Sequence, residues 1–89
     1  MSRYKIIFSG RVQRVGFRFF VQKCADVHGL TGYVFNLADG RVEAEAQGTD
    51  EQIAAFLARI MVGNGICKVR EYSQDEIALQ MEENSFTIR

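Results

Sequence analysis

The sequence predicts an α+β fold of two layers, in which a mostly antiparallel sheet carries two helices on one face. Three observations indicate it: apolar residues that alternate in several short segments, two apolar stripes at helical spacing, and a hairpin signal between two of the alternating segments. A chain of 89 residues with 47% hydrophobic residues, no proline and no repeat or linker-like stretch is expected to form one domain over residues 1–89.

The first strand and first helix are predicted from a change of period. Residues 4–9 alternate in a period of two, which is typical of a strand with one fully apolar face. A loop over residues 10–16 follows, and Gly29 stands where the C-terminal cap of a helix belongs. Between them an apolar stripe recurs at i, i+3, i+4 and i+7 and comprises Phe17, Phe20, Val21 and Cys24.

The second and third strands are predicted as a hairpin. Aromatic and β-branched residues mark a strand over residues 31–37, and Asp39-Gly40 is expected to supply the positive-φ residues of a tight turn. The third strand, residues 41–47, has an apolar face of Val42, Ala44 and Ala46. Its other face is polar, so we expect one side of the sheet to be wet and the helices to cover the opposite side.

The second half of the chain repeats the pattern. Thr49 with Gln52 forms a capping-box signal, and Gly63 is expected to end the second helix. A fourth strand fits residues 66–72, residues 75–84 receive no assignment, and residues 86–89 are predicted to form a short closing strand. The order βαββαβ plus one terminal strand is the ferredoxin-like split-βαβ arrangement. The apolar stripe of the second helix consists of Ile53, Phe56, Leu57 and Ile60.

Composition excludes several classes of function. A formal net charge of zero argues against a general nucleic-acid or membrane-surface binder. The apolar part of the N-terminal segment is too short for a signal peptide or a membrane span, so we expect a soluble, cytoplasmic protein. Cys24 and Cys67 lie far apart without a CxxC pattern or nearby histidines, which favours reduced structural thiols over a metal site or a redox pair.

Residues 10–18 are the segment richest in potential chemistry. Residues 1–25 contain six basic and no acidic residues, a local positive region that suits a small anion. The segment joins a strand to a helix N-terminus, where free backbone N–H groups and the helix dipole bind phosphate, and Arg18 adds a planar fork. Neither a Walker motif nor a GxGxxG motif is present. The alternative is that these arginines are solvated loop charges.

Two motifs in the chain resemble those of the acylphosphatase family. Residues 10–18, GRVQRVGFR, are similar to the family signature GxVQGVxFR, and residues 32–43, GYVFNLADGRVE, are similar to G[WY]VxNxxDGxVE. The C-terminal SFTIR is also like the family's ending. The resemblance spans nearly the whole chain, and it implies a small stand-alone hydrolase of acyl phosphates.

The resemblance also implies a mechanism. Arg18 would bind the phosphoryl group, and Asn36 would position the attacking water, whose proton passes to the substrate's own phosphate oxygen. Neither a cofactor, nor a metal, nor a covalent phosphoenzyme is implied, and we expect a monomer that binds a small acyl phosphate and inorganic phosphate, with neither nucleic acid nor membrane as a partner. The backbone amides of the phosphate-binding loop would cradle the phosphoryl group, and that loop comprises Gln13, Arg14, Val15, Gly16, Phe17 and Arg18.

Arg14 departs from the family pattern because the signature has glycine at its position. If this residue needs a positive φ, arginine costs about 1 kcal/mol or more that glycine avoids. Arg14 also adds a second cation near the phosphate, so we expect altered affinity rather than loss of activity.

Four further residues that could carry chemistry are expected to have structural roles instead. His28, the only histidine, is expected to cap the first helix or lie at the surface, and Asp39 is assigned to turn chemistry. Phe19 is expected to pack on the helix flank, and Cys24 to lie in the core.

Two other functions compete with hydrolysis. An RNA-recognition module shares the βαββαβ order, but its aromatic residues must lie on the third strand, where this chain has Glu43 and Glu45. The second is a regulatory or maturation module like the acylphosphatase-like segment of larger carbamoyl-transfer proteins. The length of the chain favours the stand-alone enzyme.

Overall fold

The computed structural model describes all 89 residues and has the predicted α+β architecture. The sheet order is β4-β1-β3-β2-β5, in which all neighbours are antiparallel except the parallel pair β2 and β5. The predicted two-layer, ferredoxin-like fold with its short closing strand is therefore confirmed. In chain order the elements are β1 (Ser2–Arg11), α1 (Phe17–Val27), β2 (Thr31–Asn36), β3 (Val42–Gly48), α2 (Asp50–Val62), β4 (Lys68–Ile77) and β5 (Phe86–Ile88).

The core lies between the sheet and the two helices. Every residue of both predicted helical stripes is buried, and the apolar face of β3 is fully inaccessible to solvent. The small side chains of Ala44 and Ala46 let the helices approach the sheet closely, while Phe56 fills the space between α2 and Phe86 of β5. This packing fixes α1 against the sheet and so fixes the loop that precedes it.

The ends of α2 follow the predicted capping pattern. The backbone N–H of Gln52 donates to Thr49 Oγ1 at 3.1 Å, and the backbone N–H of Thr49 donates to Gln52 Oε1 at 2.8 Å. Gly63 is the C-cap, as predicted. Neither helix combines the length and the unbroken apolar character that a membrane crossing requires.

The first strand is longer than its alternating pattern predicted. It continues through Gly10 and Arg11, so the loop before α1 is confined to residues 12–16. A register shift between Ser9 and Gly10 allows this extension, and Gly10 has a φ of 129°. A Cβ there would collide with the carbonyl oxygen of Lys68, so the close approach of β4 depends on glycine at this position.

The fourth strand was predicted with the wrong bounds. It begins at Lys68 rather than Ile66 and continues to Ile77, five residues beyond the expected end, and every residue except Arg70 is paired with β1. Residues 70–76 are all exposed because β4 lies at an edge of the sheet that the helices cover little. An edge strand without a buried face has no alternation for a sequence pattern to detect.

The β2–β3 connection is also looser than the predicted two-residue turn. Only Gly40 has a positive φ, at 97°, whereas Asp39 does not. The connection is closed by a hydrogen bond from the Leu37 N–H to the Arg41 carbonyl at 2.8 Å. Asp39 accepts hydrogen bonds from the Arg41 backbone N–H and Nε, so its role in the turn is as predicted.

The sheet face away from the helices is not uniformly exposed to solvent. Arg3 is only 1% exposed and donates to Glu45 at 2.9 Å and to Glu83 at 2.7 Å. Two hydrogen bonds between Gln47 and the backbone of Gln80 hold the segment before β5 over this end of the sheet. Arg3 is therefore neutralised here and does not belong to the positive region near the loop.

Candidate active site

A small cleft at the N-terminal end of α1 brings together the two residues expected to carry the chemistry. Its volume is about 180 Å³, and both Arg18 of α1 and Asn36 of β2 line it. Arg14 lines it as well, so two arginines and one asparagine border a single depression. The remaining lining residues are Val12, Gly16, Phe17, Phe19 and Ile88.

The start of α1 is suited to bind an anion. Gly16 is the N-cap with a φ of 73°, and it has no side chain that could accept a hydrogen bond from the first turn. Phe20 is the first residue whose N–H donates within the helix, to the Gly16 carbonyl at 3.0 Å. The N–H groups of residues 17–19 thus have no intrahelical acceptor, and no acidic residue occupies the first turn.

Arg18 is held by a contact that leaves most of its donors free. Its Nη1 donates to the main-chain oxygen of Arg89 at 3.0 Å, at the end of β5. A second link between the same elements runs from Gln22 Nε2 to the Phe86 carbonyl at 3.1 Å. These two bonds tie α1 to β5 and orient the Arg18 guanidinium at the cleft, where its remaining N–H groups can bind oxygen atoms of a ligand.

Asn36 is the last residue of β2 and is exposed at the cleft. The hairpin behind it is fastened to the loop by Gln13, whose Nε2 donates to the Leu37 carbonyl at 2.7 Å and to the Arg41 carbonyl at 2.9 Å. Sequence reasoning placed Gln13 in the loop for its backbone amide and missed this role. No local pattern reveals it, because both acceptors are main-chain groups distant in sequence.

The backbone of Arg14 has the positive φ at which arginine is less favourable than glycine. Its φ is 62°, and it is the only non-glycine residue with a positive φ. The side chain is exposed at the cleft. Arg14 therefore pays for a left-handed backbone conformation while placing a second positive charge beside Arg18.

Two members of the predicted loop, Gln13 and Val15, do not line the cleft. The Val15 side chain packs against the core, and its carbonyl accepts a hydrogen bond from Cys67 Sγ at 3.3 Å. Burial raises the pKa of the Cys67 thiol, which keeps it protonated as a donor. Both cysteines are free and buried, as expected, but the contact of Cys67 with the loop was not foreseen.

The simpler interpretations are mostly confirmed. His28 is the C-cap of α1, and Cys24 is 5% exposed in the core. Phe19 differs from expectation, because it is 59% exposed at the edge of the cleft rather than packed on the helix flank. Its ring lies 5.6 Å from Lys23 Nζ.

A larger open groove, of about 780 Å³, lies elsewhere on the surface, between the end of α2 and the strands β1 and β4. It is lined by Arg11, Lys68 and Arg70 together with apolar residues that include Met61 and Ile66. It contains neither Arg18 nor Asn36. The smaller cleft is therefore the better candidate for the active site despite its size.

Comparisons with known proteins agree with this architecture. The acylphosphatase family model matches residues 4–88. An acylphosphatase of Bacillus licheniformis is 49% identical over 76 residues, which cover 85% of this chain and 84% of that protein.

Solved structures extend the comparison to three dimensions. The crystal structure of acylphosphatase from Bacillus subtilis superimposes with a TM-score of 0.93 at 40% identity, covering 100% of this chain and 99% of that one. The crystal structure of T. kodakarensis HypF matches the whole chain with a TM-score of 0.87 at 34% identity, but the match covers only 12% of HypF. The family model and relatives of equal length together show that the chain belongs to the acylphosphatase family.

Proposed function

We propose that the chain hydrolyses acyl phosphates in the cleft by direct attack of water on phosphorus. Arg18 and the N–H groups at the start of α1 bind the phosphoryl group, and Asn36 orients the water. The observation that carries this proposal is the meeting of Arg18, Asn36 and the uncapped helix N-terminus in one cleft. Family membership supports acyl phosphate hydrolysis as the overall reaction.

The proposed reaction needs charge stabilisation more than acid or base catalysis. The water oxygen forms a bond to phosphorus while the bond from phosphorus to the acyl oxygen breaks, and the electron pair leaves with the carboxylate. A carboxylate is a good leaving group, so no side chain has to protonate it. The proton of the attacking water passes to a phosphate oxygen of the substrate, and the products are a carboxylate and inorganic phosphate.

Each group in the cleft has a defined part in this scheme. The guanidinium of Arg18 offers two parallel N–H donors to phosphate oxygens, a fit that a lysine ammonium cannot reproduce. Donors fixed in advance by the helix and by the bond to Arg89 require little reorganisation during the reaction. The carboxamide of Asn36 can accept a hydrogen bond from water and can donate one, which aligns the nucleophile without deprotonating it.

Hydrolysis of benzoyl phosphate in the presence of EDTA tests the proposal. We expect the parent protein to be active, and Arg18→Ala and Asn36→Ala each to lose about 10²- to 10³-fold in kcat, as removal of one preorganised donor does in other enzymes. Arg18→Lys should stay close to Arg18→Ala. Full turnover by Asn36→Ala, or an inactive parent, would contradict the mechanism.

Matched substitutions outside the cleft control for nonspecific effects. Arg70→Ala removes an exposed arginine of β4, and Asn84→Ala removes an exposed asparagine in the segment before β5. Neither residue lines the cleft, so both variants should keep the parent kcat. Thermal unfolding of each variant measures its folded fraction, which should equal that of the parent.

The RNA-recognition alternative has one feature in its favour, a stacked pair of aromatic rings on the open sheet face. Tyr33 and Phe35 of β2 have ring centroids 6.0 Å apart. The Arg89 guanidinium, however, lies 3.7 Å from the Tyr33 centroid, so this ring is already covered. Titration with a short single-stranded RNA under the hydrolysis conditions should show no saturable binding, and saturable binding would support the alternative.

A further inference from the structure

The cleft carries apolar surface that phosphoryl chemistry does not require. Its floor is formed by Val12 and Phe17, each 1% exposed, whereas its accessible apolar side chains are Phe19, 59% exposed, and Ile88, 38% exposed. Both line the same cleft as Arg18 and Asn36. A phosphate ion alone would leave both side chains in water.

The positions of Phe19 and Ile88 follow from the elements that carry them. Side chains alternate along β5, so Ile88 shares the helix-facing side with Phe86, which is buried in the core. The bonds from α1 to β5 hold that side against the start of the helix. Phe19 follows Arg18 directly in the first turn, so the two apolar side chains border the mouth from the helix and from the sheet.

The size of the cleft determines where an acyl group has to go. A volume of about 180 Å³ is well below the roughly 300–1,000 Å³ of sites that enclose drug-sized ligands. With the phosphoryl group bound at Arg18 and the helix N-terminus, little enclosed space remains. The carbon chain of the acyl group therefore extends out of the mouth, where the exposed apolar side chains are Phe19 and Ile88.

We infer that Phe19 and Ile88 form an acyl subsite that favours substrates with extended apolar acyl groups over acetyl phosphate. This inference rests on the proposed hydrolysis of acyl phosphates in the same cleft. The rival preference, for acidic acyl groups, would depend on the exposed cations Arg14 and Lys23. Lys23 Nζ is 5.6 Å from the Phe19 ring centroid, within cation–π range, which restrains the ring at the mouth.

A series of straight-chain substrates isolates the effect of acyl length. Acetyl, butanoyl and hexanoyl phosphate release carboxylates of nearly equal basicity, so their phosphorus chemistry is equivalent and only apolar length differs. Full burial of one methylene is worth about fourfold in binding, and partial cover of the added chain predicts a kcat/KM about fivefold higher for hexanoyl than for acetyl phosphate. Succinyl phosphate, with a terminal carboxylate, should lie at or below the value for butanoyl phosphate.

Variants of the mouth connect the preference to the two side chains. Phe19→Ala and Ile88→Ala should each reduce the hexanoyl-to-acetyl ratio of kcat/KM towards about 1–2. Each substitution removes apolar surface against which the longer acyl chain is partly buried, and this burial produces the ratio. Val27→Ala, at an exposed position of the same helix, should keep the parent ratio. The ratio is insensitive to the folded fraction, so a merely destabilised variant does not mimic the result.

The outcomes separate this inference from the proposed function. If the parent hydrolyses none of the substrates, the proposed function fails. If it hydrolyses all of them with equal kcat/KM, or if Phe19→Ala and Ile88→Ala keep the parent ratio, the acyl subsite is refuted while hydrolysis stands. A preference for succinyl phosphate that is lost in Arg14→Ala also refutes the apolar subsite.

Discussion

Replacement of Arg14 with glycine should make the protein more stable and weaken its affinity for phosphate. The φ of 62° places Arg14 in the left-handed region, which costs a residue with a Cβ about 1–2 kcal/mol. Glycine removes that cost but adds about 0.4–1 kcal/mol of backbone entropy to the unfolded chain. At the centre of these two ranges the net gain in unfolding free energy is about 0.8 kcal/mol, which raises Tm by roughly 3–6 °C in a domain of this size.

The same substitution removes one of the two cations at the cleft. Arg14 is exposed, and a unit charge pair at 4 Å in water is worth only about 1 kcal/mol. We therefore expect the phosphate inhibition constant to rise about two- to fivefold at low salt, with a smaller rise at high ionic strength because salt screens exposed charges. Turnover should remain within the same order of magnitude because Arg18 and Asn36 are unchanged.

Two assays and one matched variant test the backbone strain at Arg14 separately from its charge. Thermal unfolding followed by circular dichroism gives Tm, and inhibition of benzoyl phosphate hydrolysis by inorganic phosphate gives the inhibition constant. Arg14→Ala removes the charge but keeps a Cβ, so it should reproduce the rise in inhibition constant without the gain in Tm. The strain argument fails if Arg14→Gly is no more stable than Arg14→Ala, and the charge argument fails if its inhibition constant and turnover both match the parent.

Three further predictions concern the surroundings of the cleft. Gln13→Ala should lower kcat about tenfold, because the hairpin that carries Asn36 loses its two hydrogen bonds to the loop. Misplacement of a catalytic group by 1 Å can cost up to about 10²-fold in rate. Steady-state kinetics measure the effect. Cys67→Ala removes the hydrogen bond to the Val15 carbonyl and should raise the phosphate inhibition constant about twofold, whereas Cys67→Ser supplies a donor and should restore it. Glu45→Gln should flatten the decline of Tm at acidic pH. Burial raises the pKa of Glu45, but hydrogen bonds from Tyr33 and Arg3 outweigh this and lower it below its ordinary value of 4.5. The stabilisation from ionised Glu45 is thus present above that value and is lost as pH falls through the lower folded-state pKa.

Each of these predictions has a control. Gln74→Ala, at an exposed position of β4, should leave kcat unchanged, and an equal loss in both glutamine variants would contradict the role of Gln13. A Cys67→Ser variant no better than Cys67→Ala would show that packing rather than hydrogen bonding matters. Glu71→Gln, at another exposed site of β4, should keep the parent's pH dependence, and identical curves for parent and Glu45→Gln would refute the linkage argument.

The fold was predictable wherever burial imposed a period on the sequence. The stripes of α1 and α2 and the alternating face of β3 each have one buried side, and each was placed within one or two residues. The edge strand β4 has almost no buried face, so its bounds could not be read from hydrophobic pattern. The extension of β1 through Gly10 depends on a bulge opposite β4, a long-range constraint with no local signal.

The residues that face the substrate were predictable from the sequence, but the hydrogen bonds that position them were not. A basic loop before a helix indicates an anion site by itself, whereas Asn36 became noticeable only through the family motif. The bonds made by Gln13, by Arg18 and by the Cys67 thiol all reach groups more than twenty residues away. Such contacts are products of the tertiary fold, and sequence reasoning therefore identified residues that face the substrate more readily than residues that position them.

Isotope distribution tests the central mechanistic claim most directly. Benzoyl phosphate is hydrolysed by the parent protein in H₂¹⁸O, and mass spectrometry locates the label in the two products. Water attack on phosphorus, as proposed for the cleft of Arg18 and Asn36, predicts that the solvent oxygen appears in inorganic phosphate and not in benzoate. Label in the carboxylate would show attack at the acyl carbon and would contradict this account.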